Sequence, residues 1–173
     1  MKPLLDKTLS LIGMPGVGKS TVGVLLAKRL GLGFVDSDLE IQRRQNATLQ
    51  HILERDGYRR LREIEEAVLL ELPLKGFVVS TGGSVVYSGR VMDRLAHAGP
   101  VVYLRASCTL LEARVTASAP RGIASDPQQS FAALYAERTP LYERSASFRV
   151  DTDGLAPEGV VAAIERLLEV SPT

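Results

Sequence analysis

The segment LSLIGMPGVGKST, Leu9 to Thr21, holds Gly13, Gly18, Lys19 and Ser20 in the pattern G-x-x-x-x-G-K-[ST], the residue set of a phosphate-binding loop. At average residue frequencies a chain of this length matches by chance with odds of roughly one in two hundred. The residue types follow from the chemistry. Glycines let successive backbone N–H groups turn inward into a concave nest that a polyphosphate enters without meeting a Cβ atom. A helix beginning near Lys19 adds its unsatisfied N–H groups and the positive end of its dipole. Gly16, Val17, Gly18, Lys19, Ser20 and Thr21 are therefore the expected contacts to a nucleotide. Lys19, read as an exposed loop lysine, is expected to reach the β- and γ-phosphates as a point charge, and Ser20 to offer its hydroxyl to Mg2+.

Asp36 and Asp38 stand two apart in Phe34-Val35-Asp36-Ser37-Asp38, so in an extended segment they project from one face. Two carboxylates beside a nucleotide can divide the work. One organises Mg2+ and its waters or orients an attacking hydroxyl, and the other holds substrate hydroxyls. Asp38 could equally cap a helix over Leu39–Arg44. Gly82-Gly83-Ser84 follows the apolar run Phe77–Thr81, and paired glycines there mean either a tight turn or close approach of backbone to ligand.

Arginines complete the set. Arg62 lies beside the apolar stripe of a helix, at a cleft edge or in an exposed pair with Glu66 four residues on. Arg121 falls in an aperiodic stretch, approximately 116–129, of lid-like length. Over a phosphate loop such an arginine is a candidate clamp on the transferring group. Arg114 precedes it, and Arg138 stands at Thr139-Pro140, which is expected to interrupt the helix Ser130–Ser145.

The elements that must position these groups alternate. Strand-like runs occur at Leu9–Ile12, Gly33–Asp36, Phe77–Thr81, Pro100–Leu104 and Phe148–Val150, with helical patterns between them. That alternation predicts a parallel sheet covered by helices on both faces: a three-layer α/β/α P-loop kinase fold with a central five-stranded parallel sheet. A helix over Thr48–Asp56 ends at Asp56-Gly57. A longer one follows, with Leu61, Ile64, Val68, Leu69 and Leu72 inward and Arg59, Arg60, Arg62, Glu63, Glu65 and Glu66 on its other faces. Pro157 opens the last helix.

At 173 residues the chain reads as a single domain, 1–173, without repeat or linker. Its net charge of +1 gives no reason to expect a nucleic-acid or membrane surface. The lone Cys108 excludes an internal disulfide and fits a reducing compartment. Met1–Asp6 is too short and polar for a signal peptide, and no apolar run reaches membrane length. A cytoplasmic, monomeric protein is expected.

Taken together, the ordered motifs resemble the shikimate kinase family of small P-loop kinases, from about Leu9 to Leu168. They are Gly13-x-x-Gly16-x-Gly18-Lys19-Ser20-Thr21, Asp36-Ser37-Asp38, Gly57-x-x-x-Leu61-Arg62-x-x-Glu65, Ser80-Thr81-Gly82-Gly83, a lid arginine, and Arg138-Thr139-Pro140-Leu141-Tyr142. The resemblance implies ATP at the loop, Mg2+ on Ser20 and near Asp36, and phosphorylation of a hydroxyl of shikimate. It assigns catalysis to Lys19, Asp36 and Arg121, and places Arg114 near the adenine. Asp38, Arg62, Gly82, Gly83, Ser84 and Arg138 would hold shikimate, whose carboxylate suits two guanidinium forks and whose hydroxyls suit an aspartate. The acceptor region would span approximately 38–65. Three positions depart from the family pattern: Ser84 stands for a third glycine, Pro120 precedes the lid arginine and Gly122 follows it, and Leu61 replaces a phenylalanine. A kinase for another small hydroxy acid keeps all the chemistry. A nucleotide-binding regulatory module without turnover leaves Asp36, Arg62 and Arg138 without a common purpose.

Overall fold

The computed structural model describes residues 7–170, so the Met1–Asp6 segment lies outside the described residues. Five strands, β1 (Leu9–Ile12), β2 (Gly33–Asp36), β3 (Phe77–Ser80), β4 (Val101–Arg105) and β5 (Phe148–Asp151), form one sheet in the order β2-β3-β1-β4-β5, every pair parallel. Successive side chains of a strand point to opposite faces, and all four residues of β1 are buried. Both faces are therefore covered, as the continuous apolar runs predict.

The cover consists of α1 (Lys19–Leu30), α2 (Ser37–Gln45), α3 (Leu49–Glu71), α4 (Gly89–Ala98), α5 (Cys108–Thr116), α6 (Phe131–Ser145) and α7 (Pro157–Val170). α1 packs on α7, α3 on α4, and α5 on α6. The expected break at Gly57 is present as a kink inside α3, and the five stripe residues Leu61, Ile64, Val68, Leu69 and Leu72 are all buried. Among the described residues no helix is long and apolar enough to cross a membrane.

Three local expectations are corrected. α2 starts at Ser37 rather than Leu39, and its cap is Asp36, whose Oδ1 accepts from the N–H groups of Asp38 and Leu39 at 2.9 and 3.4 Å. Asp38 is thereby released from capping. α6 runs unbroken through Pro140. The N–H that proline lacks would have met the carbonyl of Ala136 on the exposed side, and the Thr139 hydroxyl bonds the Tyr135 carbonyl at 2.7 Å. Glu65 is buried with the apolar stripe rather than lying outside it.

Register decides where the chemistry gathers. Ser80 pairs with Asp36 on one side and Leu11 on the other. The carboxyl ends of β1, β2 and β3 therefore open at one level, where open α/β sheets bind ligands.

Candidate active site

The loop between β1 and α1 ends at Gly18, a left-handed residue (φ +98°) that begins α1 with no side-chain cap. The first N–H groups of the helix are left for an anion. Lys19 is buried, a correction to its expected exposure. Its ammonium donates to the carbonyls of Gly13 (2.7 Å) and Met14 (3.0 Å), holding the loop in its curve. At the loop mouth the Ser20 hydroxyl donates to Asp36 Oδ2 at 2.5 Å. The two residues expected to share Mg2+ are thus in contact, although the described residues hold no group of three side chains able to bind a metal alone.

One cavity joins this loop to the other expected groups. Gly16, Gly18, Lys19, Ser20 and Thr21 line one end; Asp38, Gly82, Gly83, Ser84 and Arg138 line the other, and Arg121 and Ala124 border it from the loop between α5 and α6. Val17, Asp36, Arg62 and Arg114 do not border it. Val17 is buried behind the loop, and Arg114 lies outside, donating to the Gly16 carbonyl at 3.3 Å. Arg121 is exposed and donates to Ser118 within the same loop at 3.0 Å.

The glycines of the β3 loop are required by close approach. A Cβ on Gly82 would collide with the Glu65 carboxylate and lie 2.9 Å from Asp38 Oδ1; one on Gly83 would lie 2.9 Å from Arg138 Nη1. The loop is fixed at both ends, by the Gly82 N–H on Ser37 Oγ (2.9 Å) and by the Tyr142 hydroxyl on the Gly83 carbonyl (2.5 Å). Tyr142 itself stacks on Tyr103 at 5.1 Å. Ser84 is an ordinary right-handed residue (φ −89°, ψ −2°), so no glycine is needed there. Its hydroxyl donates to Glu65 Oε2.

Charges of both signs are shut in together. Burial draws the Lys19 ammonium down to about 8, against the pull of Asp38, Asp36 and Glu65. Burial first, and then the Asp36 charge, push Asp38 up to about 6. Burial and the Asp38 charge push Glu65 up to about 7, opposed by the hydrogen bond from Ser84. Glu65 Oε1 is buried without a hydrogen-bond partner among the described residues. A carboxylate with a proton affinity near neutrality beside a phosphate loop can exchange a proton with a hydroxyl.

At the far end Arg62 and Arg138 meet. Arg138 is 1% exposed and donates through Nη2 to the Ala124 carbonyl at 2.8 Å; Arg62 donates through Nε to the same oxygen at 3.1 Å. Glu66 instead faces Arg90, at 3.4 Å, so the expected Arg62–Glu66 pair gives way to a pair of guanidinium groups aimed at one point.

Ser37, Glu65 and Tyr142 enter the sequence reading only as motif positions without a role, and Tyr87 does not enter it. Glu65 left a signal: it is four residues after Leu61 and three before Val68, on the buried face of α3. A carboxylate at an apolar-stripe position is costly unless used.

Comparison with known proteins points one way. The family model for shikimate kinase matches residues 15–169. The chain is 43% identical over 157 residues to a shikimate kinase of Mycobacterium avium, covering 89% of each sequence. In structure it is similar to a shikimate kinase from Acinetobacter baumannii in complex with shikimate, with a TM-score of 0.84, 32% identity and coverage of 95% and 93%. Against the shikimate kinase from Aquifex aeolicus the TM-score is 0.80 at 31% identity, covering 93% and 95%.

Proposed function

The chain belongs to the shikimate kinase family, and on that premise we propose how its own residues move the γ-phosphoryl group of ATP to a hydroxyl of shikimate. The observation that carries the reading is the single cavity with Lys19 and the α1 terminus at one end and Asp38 and Arg138 at the other.

The loop amides and the Lys19 ammonium hold the β- and γ-phosphates. Arg138, which borders the cavity, takes the acceptor carboxylate in a planar fork, and Arg62, which meets Arg138 at the Ala124 carbonyl from outside the cavity lining, supplies the second. Asp38, freed from capping by Asp36, accepts a hydrogen bond from the acceptor hydroxyl and takes its proton. That oxygen bonds to the γ-phosphorus as the bond from phosphorus to the bridging oxygen of ADP breaks. Arg121 meets the charge that gathers on the transferring oxygens. The paired oxygens of Ser20 and Asp36 fit Mg2+, which prefers hard oxygen ligands and keeps several waters. When bound there it neutralises charge on the phosphate oxygens. The acceptor region spans 38–65 and the lid 116–129 of one kinase domain, acting as a monomer in the cytoplasm.

An ADP-release assay with shikimate and a panel of small hydroxy acids tests this. Shikimate is expected to give the highest kcat/KM, and only with Mg2+. Release of ADP with another acid and none with shikimate would overturn the acceptor assignment.

A further inference from the structure

Arg62 and Arg138 carry like charges yet donate to one oxygen, and an arrangement of that kind needs something to hold the two planes in place. Tyr87 touches both. Its ring lies under the Arg62 guanidinium at 3.9 Å from the centroid and within 5.3 Å of Arg138. Its hydroxyl accepts from Arg138 Nε at 3.3 Å and donates to Glu137 Oε1. Tyr58 stands over Arg62 at 5.1 Å, so that guanidinium is held between two rings. Glu137 in turn receives Gln129, at the end of the lid, at 2.6 Å.

We infer that Tyr87 is a positioning residue for acceptor recognition, fixing the planes of Arg62 and Arg138 so that the pair reads a carboxylate. The inference rests on the reading that these arginines hold the acceptor acid. Tyr87 sits on the 3-10 turn Val85–Tyr87, directly after the β3 glycine loop, and it does not border the cavity that would hold the reacting atoms. Its effect reaches the acceptor only through the arginines. An aromatic face attracts a guanidinium and favours a parallel plane, and the hydroxyl fixes rotation of Arg138 by accepting from Nε. A fork already set in its bound orientation gives up less conformational freedom when the acid arrives.

The test is steady-state kinetics of the full chain, wild type, Tyr87→Phe and Tyr87→Leu, with shikimate and with its carboxamide, at saturating ATP. Tyr87→Leu is expected to raise the KM for shikimate about tenfold, with kcat and the KM for ATP within about twofold of wild type. Tyr87→Phe keeps the ring and loses only the oxygen facing Arg138, so its KM is expected to rise about threefold. The carboxamide offers no charge to the arginine pair, and its KM is expected to move less than about twofold in either variant. The inference is overturned if Tyr87→Leu leaves the shikimate KM unchanged, or shifts the carboxamide or ATP as much as shikimate. Should Tyr87→Leu fail to fold, Tyr87→Phe decides: an unchanged shikimate KM refutes the role. A wild type that ignores shikimate removes the acceptor reading itself, an outcome distinct from unaffected variants of an active enzyme.

Discussion

Arg62 and Arg138 donate to one and the same acceptor, the carbonyl oxygen of Ala124, at 3.1 and 2.8 Å. They reach it from α3 and α6, two helices that do not otherwise pack closely on each other, and the oxygen belongs to the lid. A carboxylate offers two oxygens and a full charge at such a point, where the lid offers one neutral carbonyl. On the proposed reading, acceptor binding is thereby tied to the lid.

Replacing either arginine by lysine is expected to raise the KM for shikimate roughly tenfold to a hundredfold, because an ammonium cannot reproduce the planar fork. The two variants should differ in stability. Arg138 is fully enclosed whereas Arg62 is half-buried, so Arg138→Lys lowers the melting temperature and Arg62→Lys leaves it near wild type. A KM unchanged in both variants would place the acid elsewhere.

Lys19→Ala is expected to lower turnover at least about a hundredfold, the scale of a lost charge stabiliser. The fold should survive with some loss. Burial was unexpected for this side chain, and its removal strands the Gly13 carbonyl, whereas that of Met14 still receives the Val17 N–H, at a cost of about 1–3 kcal/mol. A variant retaining more than about a tenth of the wild-type rate would deny the lysine its role.

The strands and the phosphate loop were legible because their signals are local. A glycine-rich turn works only between a strand and a helix, and buried parallel strands read as apolar runs. The errors share a cause of the opposite kind. Whether Asp36 or Asp38 capped α2 depended on where the strand stopped, which sheet register sets. Pro140 marks a break only if its helix lacks other support; Arg138 and Tyr142, anchored one turn apart on either side, carry α6 through it. Arg62 left its neighbour Glu66 for a carbonyl 62 residues away, a choice no local pattern contains. Charge at Glu65 masked its position on the stripe.

Arg121→Ala is expected to lower kcat about a thousandfold while moving the KM for shikimate little, and to leave stability unchanged, since the side chain is exposed and bonds only within the lid. Gly122→Ala should act on the same step by another route. Gly122 has φ +62°, its N–H bonds Gln50 Oε1 at 3.0 Å, and a Cβ would lie 2.6 Å from the Gln50 nitrogen. An alanine lifts the lid from α3, so kcat should fall with Arg121 still present. Normal kcat in both variants would remove the lid from catalysis.

The ligand-free protein is expected to lose stability as pH rises from about 4.5 to about 7, because Glu65 keeps its proton across that range when folded and releases it when unfolded. Asp38, held up to about 6, adds to the same slope. Glu40, drawn down to about 2 by the hydrogen bonds of Arg43 and Arg44, is ionised in both states above about pH 5.5 and adds nothing over that upper part of the range. Glu65→Gln carries no titrating proton, so its stability relative to wild type should improve from pH 5 to pH 8. Urea melts at the two pH values measure it, and a constant difference would contradict the buried charge.

Ser84 separates crowding of the acceptor from support of the site. Its hydroxyl proton is committed to Glu65, so it is not free to donate to the substrate, and its backbone needs no glycine. Ser84→Gly should therefore turn over shikimate as well as wild type or better. Ser84→Ala isolates the hydroxyl without loosening the backbone. At pH 8, with Glu65 ionised, losing a hydrogen bond to a charged group is expected to cost about 1.5–3 kcal/mol; at pH 5, with Glu65 protonated, the cost should shrink to about 0.5–1.5 kcal/mol. The same deletion should raise the Glu65 proton affinity further, since the Ser84 bond holds it down together with the charges of Arg138 and Lys19. Urea melts of wild type and Ser84→Ala at both pH values, with shikimate kcat/KM for Ser84→Gly, decide the matter. Equal losses at pH 5 and pH 8 would mean that the hydroxyl does not serve the carboxylate, and a collapse of shikimate turnover in Ser84→Gly would return it to the substrate.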